Sequence, residues 1–386
     1  LRRLAVKFGE RAPGEELVIG NDELQRALLD LPADQRELLE RTARRIEDFA
    51  TAQRAALQEI SMPVPGGTAG HTVSPVDRAG CYAPGGRYPL PSSVLMTAVT
   101  ARAAGVAEVW VASPRPAPII LGAAAVAGAE GILAVGGAHA IAALAFGIGG
   151  PPQCDVVVGP GNRWVTAAKK LVAGHVGIDM LAGPSELVIL ADHTADPKIV
   201  AADLLAQAEH DPDALPVLVS TDPELADAVD LELARQLAKL PTREVAGAAL
   251  ANGFTVIAAS LDEAVRICNR LAPEHLEILT SDPETVAPRL DHYGGLFLGS
   301  ASAEVFGDYG LGPNHTLPTG GVARFKGGLS VFDFLRTRTW LHLEEDSDTG
   351  ASIADAAALA RLEGLEGHAR AAELRNSRRA GVDSDF

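Results

Sequence analysis

Aromatic side chains are scarce in this sequence, 4 % of 386 residues, whereas alanine is abundant and glycine occurs 39 times. With so few bulky rings, helices and strands are expected to pack closely. Cysteine is nearly absent. Cys81, Cys154 and Cys268 lie far apart with no CxxC spacing, which excludes a disulfide framework and a thiolate metal site and suits a reducing cytoplasm. Cations are in the minority, 33 Lys and Arg against 50 Asp and Glu, for a net charge of −17. That balance argues against general nucleic-acid binding, which needs cationic surface to replace counterions, but leaves room for a small anionic ligand at a helix terminus. Long apolar runs are missing too. The longest, Ala117 to Ala129, ends at Glu130 and is too short to span a bilayer, so no membrane association is expected. No signal-peptide pattern is visible. The chain opens at Leu1 inside a helical pattern, "LRRLAVKFGE", and a preceding segment is expected.

What remains is an ordinary globular balance, 47 % hydrophobic and 22 % charged, long enough for two domains or one large α/β domain with appendages. The N-terminal third reads as helical and polar: "NDELQRALLDLPADQRELLERTARRIEDFATAQRAA" repeats Leu, Ile and Phe at helical spacing between charges. From "RAGCYAPGG" onward, short β-rich runs ("AEVWVAS", "GILAVGG", "CDVVVGP") alternate with Ala-rich helices. That alternation is the signature of a parallel sheet with helices on its faces. A second series starts at "SELVILAD" and continues through a helix at Pro197, N-capped by Asp196, then "LPVLVSTD", "GFTVIAAS", "LDEAVRICNRLA" and "HLEILTSD". The expectation is two related α/β units, about 82–187 and 188–300. A Gly-rich loop, "GDYGLGPNHTLPTGG", comes next. After it the acidic "HLEEDSDTGAS" leads to two short helices, "IADAAALARLEG" and "LEGHARAAELR", too small to form a domain and expected to pack on something else.

Two Glu-His pairs stand out, Glu209-His210 and Glu274-His275. In the first, Gln207 and His210 are three apart and share a helical face, while Glu209 points elsewhere. An amide oxygen and an imidazole nitrogen on one face can chelate a divalent ion, imidazole suiting zinc. Asp203, one turn back, is a rival third ligand, and the bland reading is a polar helix end bonded to the "DPD" turn. Glu274-His275 lies where "CNRLAP" breaks a helix and a strand begins. A carboxylate beside an imidazole can serve two separate proton transfers, or can simply face water at a strand entry. Asp308, Asn314 and His315 sit among glycines and prolines in a loop of the kind that carries binding residues on a rigid sheet. Asp308 there offers the anionic oxygen that a site with neutral Gln and His donors needs. "VGPGNRWVTAAKK" leaves a strand and opens a helix at Asn162, where an anion can bind. It is not G-x-G-x-x-G, because Trp164 occupies the place of the third glycine.

Taken in order, "YAPGGRYPLPSSVLM", "GPGNRWVTAAKK", "LAGPSELVILAD", "LLAQAEHDPDA", "APEHLEI", "GDYGLGPNHTLPTGG" and "EGLEGHARAAELR" resemble the histidinol dehydrogenase family, from about Leu1 to Arg375. The resemblance implies an α/β fold of two Rossmann-like parallel-sheet units, with a helical N-terminal region and small C-terminal helices that pack on a partner subunit. Residues 1–81 would join 188–329 in a metal-holding catalytic domain, 82–187 would bind the nucleotide, and 330–386 would make the dimer contact. It implies zinc- and NAD-dependent oxidation of L-histidinol to L-histidine through a bound aldehyde, the last step of histidine biosynthesis. Gln207, His210 and Asp308 match the family's zinc ligands, and His368 completes the set from the partner chain of a homodimer, giving a shared active site. Glu274 and His275 match its proton-transfer pair. Ser185, His315 and Glu363, together with the metal ligands and His275, match substrate contacts. Tyr82, His139 and Asn162 fall at positions that touch NAD.

One position departs from the family. Glutamine is the residue expected at His139, and histidine has a shorter reach and can carry charge. This motivates a second reading, a relative with the same chemistry on another small amino or hydroxylated alcohol. A third, from another class, is a zinc hydrolase in which Glu274 activates water without any nucleotide.

Overall fold

The structure, a computed structural model, describes residues 1–85, 88–344 and 349–377. It divides into two compact units, the larger formed by residues 1–54 and 75–334, the smaller by 55–74 and 335–386.

The larger unit holds two open sheets. The first has six strands in the order Val18–Gly20, Gly131–Leu133, Glu108–Ala112, Arg78–Tyr82, Val156–Val158 and Gly177–Ile178. All its pairings are parallel except that of the edge strand Val18–Gly20. The second has five parallel strands in the order Phe254–Ile257, Leu215–Ser220, Glu186–Ala191, His275–Leu279 and Gly295–Leu298. Strand-helix alternation does produce parallel sheets with covered faces. In the strand from "SELVILAD", Leu187 and Ile189 enter one core cluster, Val188 and Leu190 another. Both faces are buried, which is why the run is continuously apolar and does not alternate.

The small side chains set the packing distances. A methyl group built on Gly122 would meet Leu31 Cδ1 at 2.5 Å, so the helix Pro118–Val126 approaches the N-terminal region as closely as glycine allows. All three cysteines are buried and free, and burial pushes each thiol up to about 12, so they are packing residues rather than nucleophiles.

Helix starts after four of the five strands of the second sheet share one device. The strands ending at Ala191, Ser220, Ile257 and Leu279 are each followed by a helix with a side-chain cap, at Asp196, Asp222, Ser260 and Asp282. The caps accept from backbone N–H groups two or three residues on, at 2.9, 3.0, 3.2 and 3.2 Å. Each satisfies a donor that the first helical turn leaves orphaned.

The first sheet draws its edge strand Val18–Gly20 from the stretch that reads as helical, and Arg78–Tyr82 from the point where the texture changes. Residues 60–75 also depart from the helical expectation, forming the antiparallel strands Ile60–Val64 and Gly67–Pro75 of the smaller unit. Neither is buried, so no apolar alternation marks them in the sequence. Leu335–Leu343 completes that three-stranded sheet. The smaller unit also carries the helices Gly350–Leu362 and Glu366–Ser377, joined by Arg361 bonding Glu366 and Glu373. Part of the acidic stretch, residues 345–348, lies outside the described residues. Among the described residues no helix is long and apolar enough to cross a membrane.

A buried ion pair pins the end of the first sheet. Lys169 Nζ meets Asp179 Oδ1 and also donates to the Gly159 carbonyl at 3.0 Å, while Asp179 Oδ2 accepts the Gly159 N–H at 2.8 Å. Both side chains are at most 2 % exposed. Lys169→Met strands a buried carboxylate and is expected to lower the unfolding free energy by about 3–5 kcal/mol, measured by urea denaturation. A loss below ~1 kcal/mol contradicts this role.

Candidate active site

The strands Glu186–Ala191 and His275–Leu279 are neighbours where the second sheet reverses its order of addition. Helix Leu261–Leu271 is stopped just before the second of them by Ala272, a buried residue at φ 51°. That left-handed conformation costs a non-glycine residue roughly 1–2 kcal/mol. After this break, Glu274 and His275 enter the sheet beside Glu186 and grip its peptide group. Glu274 Oε2 accepts the Glu186 N–H at 2.9 Å, and His275 Nδ1 donates to the Glu186 carbonyl at 3.0 Å. With Nδ1 as the donor, neutral His275 presents its lone pair on Nε2. Nε2 is buried without a hydrogen bond, and its nearest charged neighbour is Asp308 Oδ1 at 3.7 Å, too far for a hydrogen bond. Open α/β sheets ordinarily bind ligands beyond the carboxyl ends of their strands; this cluster gathers at the amino ends.

Two further elements reach the same edge. The helix Pro197–Ala208 runs back from the carboxyl edge and ends with Gln207 fully buried and His210 just past its last turn. The short helix Glu304–Asp308 follows the strand Gly295–Leu298 and brings Glu304 and Asp308, one turn apart. His210 Nε2 stands 3.5 Å from Asp308 Oδ2. The amide of Gln207 matches its surroundings when Nε2 donates to the Glu186 carbonyl at 3.2 Å and to Glu304 Oε2 at 3.0 Å.

The charges of this cluster oppose one another. Burial pushes Glu274 up to about 7 despite the imidazole beside it. Burial pulls His275 down, but Glu274, Asp308 and Glu304 outweigh it and raise the imidazole to about 10. Burial alone would raise Asp308, yet His275, His315 and His210 together hold it below its ordinary value, so it stays ionised. Glu304, 1 % exposed, is raised well above the carboxylate range by burial. His315 is pulled down by burial, with Asp308 opposing.

Motif reading misses Glu186, Glu277 and Glu304. Glu277 follows His275 by two on the strand and so shares its side of the sheet; its Oε1 accepts the Glu304 N–H at 2.8 Å. Asp203, the rival third ligand, is engaged elsewhere. It hydrogen-bonds Glu277, and burial raises both carboxyls. Asn314 is a structural clamp, its amide donating to Met96 O at 2.7 Å and Thr100 Oγ1 at 3.1 Å. Ser185 directly precedes Glu186, and its carbonyl accepts from Leu215. Glu363 and His368 lie in the smaller unit, both exposed on its helical pair.

Tyr82, His139 and Asn162 gather at the carboxyl edge of the first sheet, where its order reverses around Arg78–Tyr82 and Val156–Val158. The Tyr82 hydroxyl accepts the Gly137 N–H at 3.1 Å. Gly159 lies so close to the Tyr82 carbonyl (a methyl there would meet it at 2.1 Å) and at such a φ, +115°, that only glycine fits. Asn162 caps the helix Arg163–Val172, accepting from Trp164 and Val165 at 3.0 and 3.2 Å. His139 Nε2 is paired with Glu10 Oε2 at 2.9 Å, and Phe8 stacks on the same ring. Glu10 also accepts the Gly136 N–H at 3.1 Å.

Among the described residues no three or more His, Cys, Asp and Glu close a metal site by themselves. The donor set here still fits zinc. Two ligands at about 2.0–2.1 Å on one tetrahedral zinc stand about 3.3–3.4 Å apart, close to the 3.5 Å between His210 and Asp308. The Gln207 amide oxygen is a neutral donor of a kind that such a count omits.

The family model described as histidinol dehydrogenase matches residues 1–376. The histidinol dehydrogenase of Thermus thermophilus is 50 % identical over 347 residues, covering 90 % of this chain and 84 % of that protein. That of Parasynechococcus marenigrum is 44 % identical over 380 residues, covering 96 % and 86 %. The crystal structure of histidinol dehydrogenase from Elizabethkingia anophelis superposes with a TM-score of 0.92 at 32 % identity, covering 98 % of this chain and 88 % of that one.

The buried pair Asp203 and Glu277 carries a pH signature. Because both carboxyls are raised by folding, the native state holds protons that the unfolded chain releases. Stability therefore falls as pH rises out of the ordinary carboxylate range. Glu277→Gln should flatten that fall between about pH 5 and about pH 8 by at least ~1 kcal/mol, one pKa unit's worth, in denaturant titrations at the two pH values. Parallel curves for variant and parent rule it out.

Proposed function

The chain belongs to the histidinol dehydrogenase family, and on that premise we propose that it oxidises L-histidinol to L-histidine in two steps, with zinc and NAD, in the cytoplasm. The observation that carries the reading is the pair Glu274 and His275 locked onto the Glu186 peptide, facing Asp308. Gln207, His210 and Asp308 would hold the metal, with His368 from a second copy of the chain, so that a homodimer shares each site. Ser185 and His315, with Glu363 of the second copy, would contact the substrate. Tyr82, His139 and Asn162, in the domain spanning 82–187, would contact the nucleotide. When bound, zinc supplies an anchor for the substrate's amine and imidazole, and NAD supplies the hydride acceptor.

His275 takes the hydroxyl proton of the alcohol on Nε2, while its Nδ1–H stays on the Glu186 carbonyl. With Asp308 committed to a metal, one of the charges that raise the imidazole would be offset, which would bring His275 toward the range a general base needs. Glu274, raised to about 7, takes a proton from the water that adds to the aldehyde-level carbon. Water supplies the second oxygen of the product carboxylate, and two NAD are reduced for each histidinol consumed. Because the intermediate aldehyde is reactive, keeping it enclosed between steps prevents its loss to side reactions. His139 is also a partner of the N-terminal segment through Glu10.

Adding L-histidinol and NAD to zinc-replete protein is expected to yield two NADH and one histidine per substrate. Absence of NADH and histidine overturns the reading, and faster oxidation of another small alcohol would redirect it. His275→Asn should slow alcohol oxidation by roughly 10²–10⁴-fold with zinc content unchanged. Glu274→Gln should slow the aldehyde-to-acid step far more than the alcohol step, and in the parent enzyme that step should decline below about pH 7 as Glu274 gains its proton. Equal slowing of both steps contradicts the division of labour.

A further inference from the structure

Glu304 has no part in the proton transfers above, yet it is 1 % exposed and sits inside the cluster. Its place is set from two sides. Its own N–H donates to Glu277 Oε1 at 2.8 Å, and one helical turn joins it to Asp308. With the Gln207 amide turned to match its surroundings, Oε2 accepts from Nε2 at 3.0 Å, whereas His275 Nδ1 is 3.8 Å away. The hydrogen bond therefore goes to the amide, and the imidazole contact is electrostatic only.

The consequence lies in Gln207. A buried primary amide can present either its oxygen or its nitrogen to a cation, by a half turn about its last bond. Only the oxygen can ligate; the N–H groups repel positive charge. With one N–H on the Glu186 carbonyl and the other on Glu304 Oε2, both donors are occupied and Oε1 is the atom left over. We propose that Glu304 is a positioning residue for the metal, holding the Gln207 amide in the orientation that offers Oε1 as a ligand. This rests on the zinc reading above. Removing such a partner leaves the ligand in place but lets it turn, which typically weakens metal affinity 10- to 100-fold.

The test compares zinc affinity, by competition with a calibrated chelator, and the visible spectrum of the cobalt-loaded protein, across five chains: the parent, Glu304→Ala, Glu304→Gln, Gln207→Ala and the double alanine variant. Glu304→Ala should lose affinity about 10- to 100-fold, and its cobalt spectrum should approach that of Gln207→Ala. Glu304→Gln keeps an acceptor oxygen and should recover most of the loss. In the Gln207→Ala background, removing Glu304 should cost nothing further. If Glu304→Ala does not fold, Glu304→Asp, which withdraws the acceptor by one methylene, should show the same loss. Parent-like affinity in Glu304→Ala or Glu304→Asp, or an equal loss with and without Gln207, overturns this role alone. A parent protein that holds no zinc overturns the zinc reading and this role with it.

Discussion

One peptide group organises the candidate site. The N–H and C=O of Glu186, at the start of a central strand, both take side-chain partners at the sheet's amino edge. Those partners are the side chains of Glu274, just before the neighbouring strand, and of His275, its first residue. The same carbonyl takes a third bond, from Gln207. An acid, a base and an amide are thus oriented by main chain, which cannot rotate away. Such orientation is what proton transfer in a confined site requires.

Around that peptide the cluster has more acid than base. Glu274, Glu277, Glu304 and Asp308 surround one imidazole, with His210 and His315 at the margin. Desolvation divides them. The glutamates are pushed toward the neutral form, and Asp308, favoured by three imidazoles, is held below its ordinary value. A buried, ionised carboxylate beside a half-exposed imidazole and an amide oxygen is an environment that a divalent cation would stabilise. The same excess of carboxylate raises the His275 imidazole.

Legibility in the sequence followed burial and chemistry closely. The central strands were readable because both faces are covered, and the helices because their caps and prolines are strong local signals. The strands at 60–75 were not, because strands that are exposed or evenly half-buried carry no apolar rhythm. Gln207, His210, Glu274, His275 and Asp308 stood out by residue type and motif, and the fold draws them to one edge. Glu186 was invisible because it acts largely through its peptide group, which any residue but proline could supply. Glu304 was within reach, four positions before Asp308 on one helical turn, yet the glycine-rich loop after it drew the eye. The edge itself could not be foreseen, since the general rule for open sheets points to the opposite one.

That opposite edge has its own significance. The turns after Ala191, Ser220, Ile257 and Leu279 consist of caps and tight bends, with Asp196, Asp222, Ser260 and Asp282 spent on starting helices. None carries a group assigned to the chemistry. Where most enzymes of this architecture crowd their variable, function-bearing loops, these four turns are only joinery. Its outer rim is therefore the natural place to graft a tag, a fluorophore or a surface tether without disturbing turnover, provided each cap is left in place.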